Sequence, residues 1–335
     1  MNAWLLNEFG EPDHFQKTAV PSPEIQPHEV LIRVAATSIN PVDCKIRRGE
    51  RPAIAPELPG ILHGDVAGVI DKVGSDVSRF APGDEVYGMT GGLKGMSGAL
   101  ADYTIADSAL LALKPKSLEF AASAALPLVT ITAWEGLHDR ARVQTGQHAL
   151  IHAGTGGVGH VAAQIAKAAG ARVAVTISSD AKAAAVRELL GDDVDLINYC
   201  DESVEDYSQR LTNGNGFDLI YDTVGGDNLA KSFAAVRRNG QVINILSMAQ
   251  HDLTPMHLKG LSLHVVFMLI PLITGQGRAR HGEILTEAAR LADAGQLKPL
   301  IDSTFPFDQA GDAHRHAESG RQLGKVVMIH PDFAE

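Results

Sequence analysis

Residues 148–177 read HALIHAGTGGVGHVAAQIAKAAGARVAVTI, and this stretch decides the fold. It contains an apolar run, a glycine-rich turn, a segment in which small apolar residues recur at helical spacing, and a second apolar run. Strand, helix and strand in this order are typical of a βαβ unit in a parallel sheet. The stretch therefore predicts an α/β fold.

The same alternation continues along the chain. Further apolar runs occupy residues 194–198, 217–222, 241–246 and 261–266, with helix-like segments between most of them. Together with the two runs of the opening stretch they predict six strands. We expect them to form a doubly wound parallel sheet over residues 124–265.

The rest of the chain has a different texture. Residues 29–123 are rich in glycine, proline and valine, with short alternating runs separated by turn signals, which is typical of a compact β-rich domain. A helix ending at Gly295 and a last strand at residues 324–329 follow the parallel sheet. We therefore assign residues 1–123 and 266–335 to one β-rich domain.

The composition excludes several classes of protein. The 335 residues include 29 Lys and Arg against 40 Asp and Glu, a net charge of −11, so the chain lacks the broad basic surface that nucleic acid requires. The two cysteines, Cys44 and Cys200, are too few for a disulfide framework and favour a reducing compartment. No uncharged stretch reaches the roughly 20 residues of a spanning helix, and the first residues do not resemble a signal peptide. We expect a cytoplasmic protein without a nucleic-acid or membrane partner.

The glycine turn predicts a dinucleotide site. Gly154, Gly156 and Gly159 form G-x-G-x-x-G directly after a strand and at the opening of a helix. The first glycine permits the tight turn, the second lets the backbone approach a pyrophosphate, and the third lets the helix meet the strand. The helix N-terminus adds free N–H groups and partial positive charge. The residues expected to bind the pyrophosphate are Gly154, Thr155, Gly156, Gly157, Val158 and Gly159.

The residues at the end of the second strand indicate whether NAD or NADPH binds. An acidic residue there would hold the ribose 2′-hydroxyl of NAD, but the strand ends in Ser178 and Ser179. These hydroxyls, the Lys182 ammonium and the Tyr199 hydroxyl could donate to a 2′-phosphate, which favours NADPH. Asp180 argues the other way, and a solvated Lys182 is the alternative interpretation.

The whole chain resembles the medium-chain dehydrogenase/reductase superfamily, and within it the zinc-free quinone oxidoreductase and enone reductase branch. This resemblance implies a GroES-like catalytic domain and a Rossmann domain, with NADPH as cofactor and hydride transfer to an activated alkene or a quinone. The motifs that carry it are INPVD (39–43), PGILHGDVAGVIDKVG (59–74), FAPGDEVYG (80–88), GALADY (98–103), HAGTGGVG (152–159), YDTVGG (221–226) and GKVVM (324–328).

The resemblance also implies that no metal is bound. Zinc-dependent alcohol dehydrogenases of the superfamily carry a cysteine in place of Asn40 and Gly-His-Glu in place of residues 63–65, here His-Gly-Asp. A catalytic zinc needs about three protein ligands, and residues 120–134 contain no Cys or His to supply the third. We expect His63 to bond to backbone and Cys44 to be a buried thiol. A rearranged zinc site that uses both is the alternative.

Three catalytic positions follow from the segment NPVDCKIRRG (40–49). Related enone reductases carry Lys or Tyr at the position of Lys45, so the resemblance implies that Lys45 stabilises the enolate-like oxygen and is a candidate proton donor. Asn40 and Asp43 are expected to shape the site and orient the cofactor. The alternatives are a solvated Lys45, with solvent as the proton donor, and Asp43 as a turn-capping residue.

Further cofactor contacts follow from the resemblance alone. They are Thr130 at the nicotinamide end, Thr223 after the fourth strand of the parallel sheet, Ile245 and Leu246 at the end of the fifth, and Lys325 near the phosphates. The sixth strand commonly pairs between two subunits in this superfamily, so we expect a homodimer.

The sequence therefore predicts an NADPH-dependent oxidoreductase that acts on a small-molecule quinone or α,β-unsaturated carbonyl compound. Two other hypotheses stay open at this point. One is an alcohol dehydrogenase with a rearranged zinc site, and the other is a non-catalytic NADPH-binding protein on the same fold.

Overall fold

The computed structural model describes residues 1–333, which fall into two compact units. Unit 1 contains Met1–Ile131, Leu269–Gly295 and residues 299–333, and unit 2 contains Thr132–Met268 and Gln296–Lys298. The sequence-based boundaries lie at residues 123 and 265, earlier than these.

Hydrogen bonds tie two of the reassigned segments to their units. The Leu128 amide donates to Asp65 Oδ1 at 2.8 Å, which ties the residues after 123 to unit 1. The Gln164 side chain bonds both the amide and the carbonyl of Lys298, at 2.8 and 2.9 Å, which ties that short segment to unit 2. Side-chain contacts of this kind have no signature in apolar periodicity.

The helices and strands have the following bounds. Up to residue 134 they are β1 (Asn2–Leu6), β2 (Phe15–Ala19), β3 (Glu29–Ile39), α1 (Pro41–Arg47), β4 (Gly60–Ile61), β5 (Asp65–Val73), β6 (Glu85–Met89), β7 (Tyr103–Asp107), β8 (Leu111–Leu113), α2 (Phe120–Ala124) and α3 (Pro127–Trp134). From there to residue 268 they are β9 (His148–Ile151), α4 (Gly157–Ala168), β10 (Arg172–Ile177), α5 (Asp180–Leu190), β11 (Asp195–Asn198), α6 (Val204–Thr212), β12 (Phe217–Asp222), α7 (Asn228–Ala235), β13 (Val236–Asn244), α8 (Thr254–Lys259) and β14 (Ser262–Val265). The remainder are α9 (Ile270–Thr274), α10 (Arg278–Asp293), β15 (Ile301–Pro306), α11 (Ala310–Glu318) and β16 (Lys325–Ile329).

Unit 2 is built on the predicted parallel sheet. Its six strands lie in the order β11-β10-β9-β12-β13-β14, and every neighbouring pair is parallel. Leu150, Ala174, Ile220 and Val242 of the four central strands are fully buried in one apolar cluster. The α/β prediction and the six predicted strands are confirmed.

Unit 1 is organised around the long strand β3. This strand pairs antiparallel with β5, β7 and β16, and β15 adds to β16 in parallel. The result is a seven-stranded sheet, and a smaller three-stranded sheet has its strands in the spatial order β2-β1-β4. Its core includes Trp4, whose ring meets Phe307 edge-on at 5.1 Å between ring centroids. This is the β-rich domain that the sequence predicts.

A chain of neutral polar groups lies inside that core. His63 Nε2 lies 2.9 Å from His314 Nε2, and His314 Nδ1 lies 3.6 Å from the buried Cys44 thiol. Burial raises the pKa of Cys44 to about 12, so the thiol can donate to His314, which then donates to His63. The expectation that Cys44 is a buried thiol is confirmed. The expectation that His63 bonds to backbone is wrong, because its partner is the His314 ring on a helix far away in the sequence.

Within residues 1–333, we find no helix that combines the length and the apolar character needed to span a bilayer.

The histidine pair predicts a measurable loss of stability in acid. Burial lowers the pKa of His63 to about 3 and holds that of His314 well below its ordinary value, whereas in the unfolded chain both titrate near 6.5. Below this pH both histidines bind a proton in the unfolded state but stay neutral in the folded state. The free energy of unfolding therefore falls as the pH drops below about 6.5. At pH 5 the cost for His63 is about 2 kcal/mol, and His314 adds to it in the same direction. We expect His314→Phe to show a smaller fall of Tm between pH 7.5 and 5 than the wild type.

His28→Phe is the matched control, because His28 is an exposed histidine of the same unit. Its Tm should follow the wild-type pH dependence. An unchanged pH dependence in His314→Phe would contradict the assignment of a neutral buried pair.

Candidate active site

The turn between β9 and α4 is shaped by glycines for two different reasons. A Cβ on Gly154 would lie 2.7 Å from Val175 Cβ, and one on Gly159 would overlap the Ala153 carbonyl oxygen. These two glycines are therefore required by the packing of the turn and helix against the sheet.

Gly156 is less tightly constrained by the protein's own packing than Gly154 and Gly159. Its backbone is extended, with φ −76° and ψ 169°, and a Cβ there would meet only the Ala153 carbonyl oxygen at 3.2 Å and the Ala153 Cβ at 3.7 Å. It is also the N-cap of α4 and has no side chain to accept from the first-turn amides. A helix N-terminus without a side-chain cap fits a pyrophosphate at this point. The neighbours Thr155, Gly157 and Val158 lie in the same turn.

The carboxyl ends of β9, β12 and β13 lie at one edge of the sheet, because the strands are parallel. The buried Asp222 carboxylate ends β12 and accepts from the amides of Val224 and Gly225, each at 2.9 Å. Thr223 Oγ1 donates to the His152 carbonyl at 2.8 Å, so the turns after β9 and β12 are joined. This edge therefore has a fixed geometry.

The turn after β13 is held in a similar way. The Leu246 amide donates to the buried Asn244 Oδ1 at 2.9 Å, and Ile245 is half-buried beside it. The Asn244 Nδ2 atom is buried without a hydrogen-bond partner among the described residues. Thr223, Ile245 and Leu246 therefore all follow strand ends at the edge where the sequence predicts a cofactor, and their contact with it stays a prediction.

The residues expected at the 2′-position of the dinucleotide do lie together. Lys182 Nζ donates to Ser178 Oγ at 2.9 Å, and Ser179 caps α5 by accepting from the Lys182 amide at 3.4 Å. The Tyr199 amide donates to the Ile177 carbonyl at 3.2 Å, which places Tyr199 beside the end of β10 with its side chain 55% exposed. An ammonium and several hydroxyls thus surround one strand end. Asp180, the acidic residue that argues against NADPH, is the first residue of α5.

Unit 1 contains a second polar cluster, centred on the Asp65 carboxylate, which is fully buried. Asp65 Oδ2 accepts from Ser38 Oγ at 2.8 Å and from Asn40 Nδ2 at 2.7 Å, and Oδ1 accepts from the Leu128 amide at 2.8 Å. The Lys325 ammonium lies 3.6 Å from Oδ2. The cluster therefore joins the end of β3, the start of β5, the start of α3 and β16.

Asn40 and Asp43 belong to this cluster, as the sequence suggests. Asn40 is the N-cap of α1. Its backbone N–H donates to Asp43 Oδ2 at 2.7 Å, as in a capping box. Burial, and to a smaller extent the Asp65 charge, raises the pKa of Asp43 to about 7. Asp43 thus fills the capping role that the sequence left open, and as a partly protonated acid it could also exchange a proton near neutral pH.

Lys325 is buried inside unit 1, whereas a lysine that binds a phosphate would be expected to be exposed to the ligand. Its side chain is 3% exposed, and its ammonium donates to the Ile39 carbonyl at 2.9 Å and to Asn40 Oδ1. Burial lowers its pKa, against the opposing effect of the two carboxylates. The ammonium is therefore occupied within unit 1 instead of being free to reach a phosphate.

Lys45 lies on another face of α1. It follows Asp43 by two residues, which on a helix is more than half a turn, and its side chain is half-exposed. Its ammonium makes no hydrogen bond or ion pair with the described residues. A free ammonium is available to a ligand, and its catalytic role stays a prediction.

Thr130 is fully buried in α3, and its hydroxyl lacks a hydrogen-bond partner among the residues that the structure describes. A buried, unpaired hydroxyl costs free energy unless a ligand or water satisfies it. This fits the predicted contact with the nicotinamide end of a cofactor.

No group of three or more His, Cys, Asp or Glu side chains within residues 1–333 is arranged to hold a metal ion. Cys44 and His63, the residues of the alternative zinc site, are joined through His314 instead. The absence of zinc stays a prediction.

The sequence interpretation gave no role to three residues of these sites. Asp65 appears there only as a departure from a zinc motif, Asp222 only as the end of an apolar run, and Asn244 only as a residue inside the run 241–246. A polar residue in or beside an otherwise apolar strand is the signal that identifies all three, since such residues are buried and must be satisfied.

Two family descriptions match the chain. Residues 26–116 match the alcohol dehydrogenase GroES-like domain, and residues 190–328 match the zinc-binding dehydrogenase family. Together they cover parts of both units.

Individual relatives match over nearly the whole chain. The 2-methylene-furan-3-one reductase of Solanum lycopersicum is 37% identical over 339 residues, covering 99% of this chain and 79% of the relative. The NADPH-dependent alkenal/one oxidoreductase, chloroplastic, of Arabidopsis thaliana is 34% identical over 337 residues, covering 98% and 79%. The crystal structure of an alcohol dehydrogenase superfamily protein from Novosphingobium aromaticivorans is 41% identical with a TM-score of 0.93, covering 98% of this chain and 99% of that one.

Proposed function

Since the chain belongs to the medium-chain dehydrogenase/reductase superfamily, in the quinone and enone oxidoreductase branch, we propose that it is an NADPH-dependent reductase of α,β-unsaturated carbonyl compounds or quinones. The observation that carries the proposal is the glycine turn between β9 and α4, where the helix N-terminus has no side-chain cap and its first-turn amides stay available to an anion. Both relatives are named for reactions on carbonyl compounds, and one is named as NADPH-dependent.

The residues around the glycine turn would hold the dinucleotide. The first-turn amides of α4, at Gly157, Val158 and Gly159, are the donors that this helix N-terminus offers to a pyrophosphate. Ser178 and Lys182, at the end of β10, supply a hydroxyl and an ammonium for a 2′-phosphate. When bound, the cofactor supplies a hydride, which the protein's own side chains cannot.

The polar groups of unit 1 would handle the substrate. Addition of a hydride to the β-carbon of an enone leaves negative charge on the carbonyl oxygen, and a preorganised donor stabilises it. We assign this role to Lys45, whose ammonium has no partner among the described residues. Asn40 and Asp43 are held in place by the Asp65 cluster and would orient the reacting groups.

The cofactor preference is tested at Lys182. We expect Lys182→Met to lower kcat/KM for NADPH about tenfold or more, because a charge-assisted hydrogen bond to the 2′-phosphate is lost. The same variant measured with NADH is its own control, because NADH has no 2′-phosphate, and its kcat/KM should stay within about twofold. An equal loss with both cofactors would contradict the assignment.

The reaction is tested by NADPH oxidation in the presence of chelator, against a panel of enones, quinones and aldehydes. We expect turnover with enones or quinones, undiminished by chelator. Lys45→Met should lower kcat about a hundredfold, as loss of an oxyanion donor does in other enzymes.

Lys72→Met is the matched control, because Lys72 is an exposed lysine on β5 in the same unit. It should retain wild-type kcat. Full activity of Lys45→Met would assign the proton donor to solvent, and activity restricted to aldehydes and abolished by chelator would favour the zinc-dependent alternative.

We also propose a homodimer formed through the edge of the parallel sheet. β14 lies at that edge, and Val265 and Phe267 are 46% and 48% exposed. An exposed apolar edge strand invites pairing with a second copy. The cytoplasmic location stays a prediction, and the name of one relative places that protein in the chloroplast.

A further inference from the structure

Lys325 is the lysine of the Asp65 cluster, and its side chain is 3% exposed. The burial of this ammonium group requires a physical explanation. Desolvating an ammonium is costly unless it is paired and hydrogen-bonded. Here the oxygens around Lys325 Nζ come from the Ile39 carbonyl, the Asn40 side chain and the Asp65 carboxylate. The chain thus provides a complete oxygen cage for one internal cation.

The cage settles the orientation of the Asn40 amide. An ammonium can only donate, so the atom that faces Lys325 must be the amide oxygen. The amide nitrogen then faces Asp65 Oδ2, at 2.7 Å, and a carboxylate can accept from it. If the amide were flipped, two donors would meet at Lys325 and two acceptors at Asp65. The Lys325–Asp65 pair therefore fixes Asn40 at both ends.

This orientation determines which atom of the buried Asn40 side chain is left without a partner. The Asn40 amide nitrogen has two hydrogens, and the described residues provide a partner, Asp65, for one of them. The second N–H is the group that a fixed Asn40 presents, whereas a flipped side chain would present an oxygen.

We propose that Lys325 is a positioning residue, whose ammonium holds the Asn40 side chain as a hydrogen-bond donor toward an acceptor atom of the bound substrate or cofactor. It acts by neutralising Asp65 and orienting Asn40, and not by binding a phosphate. The inference rests on the proposed function, since it assigns the donor a role in that site.

The charges of the cluster predict how the stability of a variant without Lys325 depends on pH. The charged and titratable groups around Asp65 are Lys325 on β16, Asp43 and Cys44 on α1, and His63. Without Lys325, the cluster retains two carboxylates and no cation. Protonation at lower pH relieves this excess, so the loss of stability should be larger at high pH than at low pH.

The experiment compares Lys325→Met with the wild type in three measurements: Tm against pH, Kd for NADPH, and kcat on the best substrate of the panel. We expect the Tm of the variant to fall by about 6 °C or more at pH 8 and by less than half of that at pH 5.5, because a buried charge has lost its partner. The Kd for NADPH should stay within about threefold, while kcat falls about tenfold or more.

Two further variants separate positioning from folding. Lys325→Met combined with Asp65→Asn removes both charges, so it should regain most of the Tm at pH 8 but not kcat, because nothing then fixes the Asn40 amide. Lys325→Arg keeps the cation and should retain more kcat than Lys325→Met. These two variants keep the proposal testable if Lys325→Met fails to fold. Lys72→Met is the control for a lysine-to-methionine change and should match the wild type in all three measurements.

The outcomes that overturn the proposal are distinct from a failure of the proposed function. An increase in the Kd for NADPH of about tenfold with an unchanged Tm would make Lys325 a phosphate ligand. Wild-type kcat in Lys325→Met, or recovery of kcat together with Tm in the double variant, would make the pair merely structural. Absence of wild-type turnover on the whole panel would contradict the proposed function instead.

Discussion

A carboxylate that is fully buried must be neutralised and hydrogen-bonded, and Asp65 imposes this constraint on unit 1. Its two oxygens draw Ser38, Asn40, Leu128 and Lys325 together, from segments that are far apart in the sequence. Removing one partner of such a pair is far more costly than the net stabilisation that the pair provides. The end of β3, the N-terminus of α1 and the last strand β16 are therefore held in one arrangement, on which Asn40 and Asp43 depend.

In unit 2 the corresponding constraint is the direction of the strands. All six are parallel, so every strand delivers its carboxyl end to the same edge of the sheet. The glycine turn, the Asp222 turn and the Ser178–Lys182 turn follow three of these ends. A dinucleotide site needs just such a collection of backbone amides and short polar side chains, which the connections supply without disturbing the buried strands.

The sequence was sufficient for the parts of the fold that depend on local patterns. Apolar runs and glycine spacing predict the parallel sheet and its nucleotide turn, and the motif around Asn40 predicts where part of the polar cluster lies. The partners of buried polar groups were not predictable in the same way. Lys325 is separated from Asn40, and His314 from His63, by hundreds of residues, so no spacing rule relates them. The resemblance suggested that Lys325 binds a phosphate. Its burial among oxygen atoms of unit 1 could not be read from the sequence, because burial is a property of the tertiary structure.

With an enone as substrate, the proposed activity adds a hydride to the carbon–carbon double bond conjugated to the carbonyl group. The most direct test uses NADPH carrying deuterium at C4 of the nicotinamide, in each of its two stereochemical forms, with a simple enone, and NMR analysis of the product. We predict a saturated ketone with deuterium on the β-carbon from one of the two forms, and a solvent-exchangeable proton on the α-carbon. Deuterium on the carbonyl carbon of an allylic alcohol would contradict the proposal and would indicate alcohol dehydrogenase chemistry.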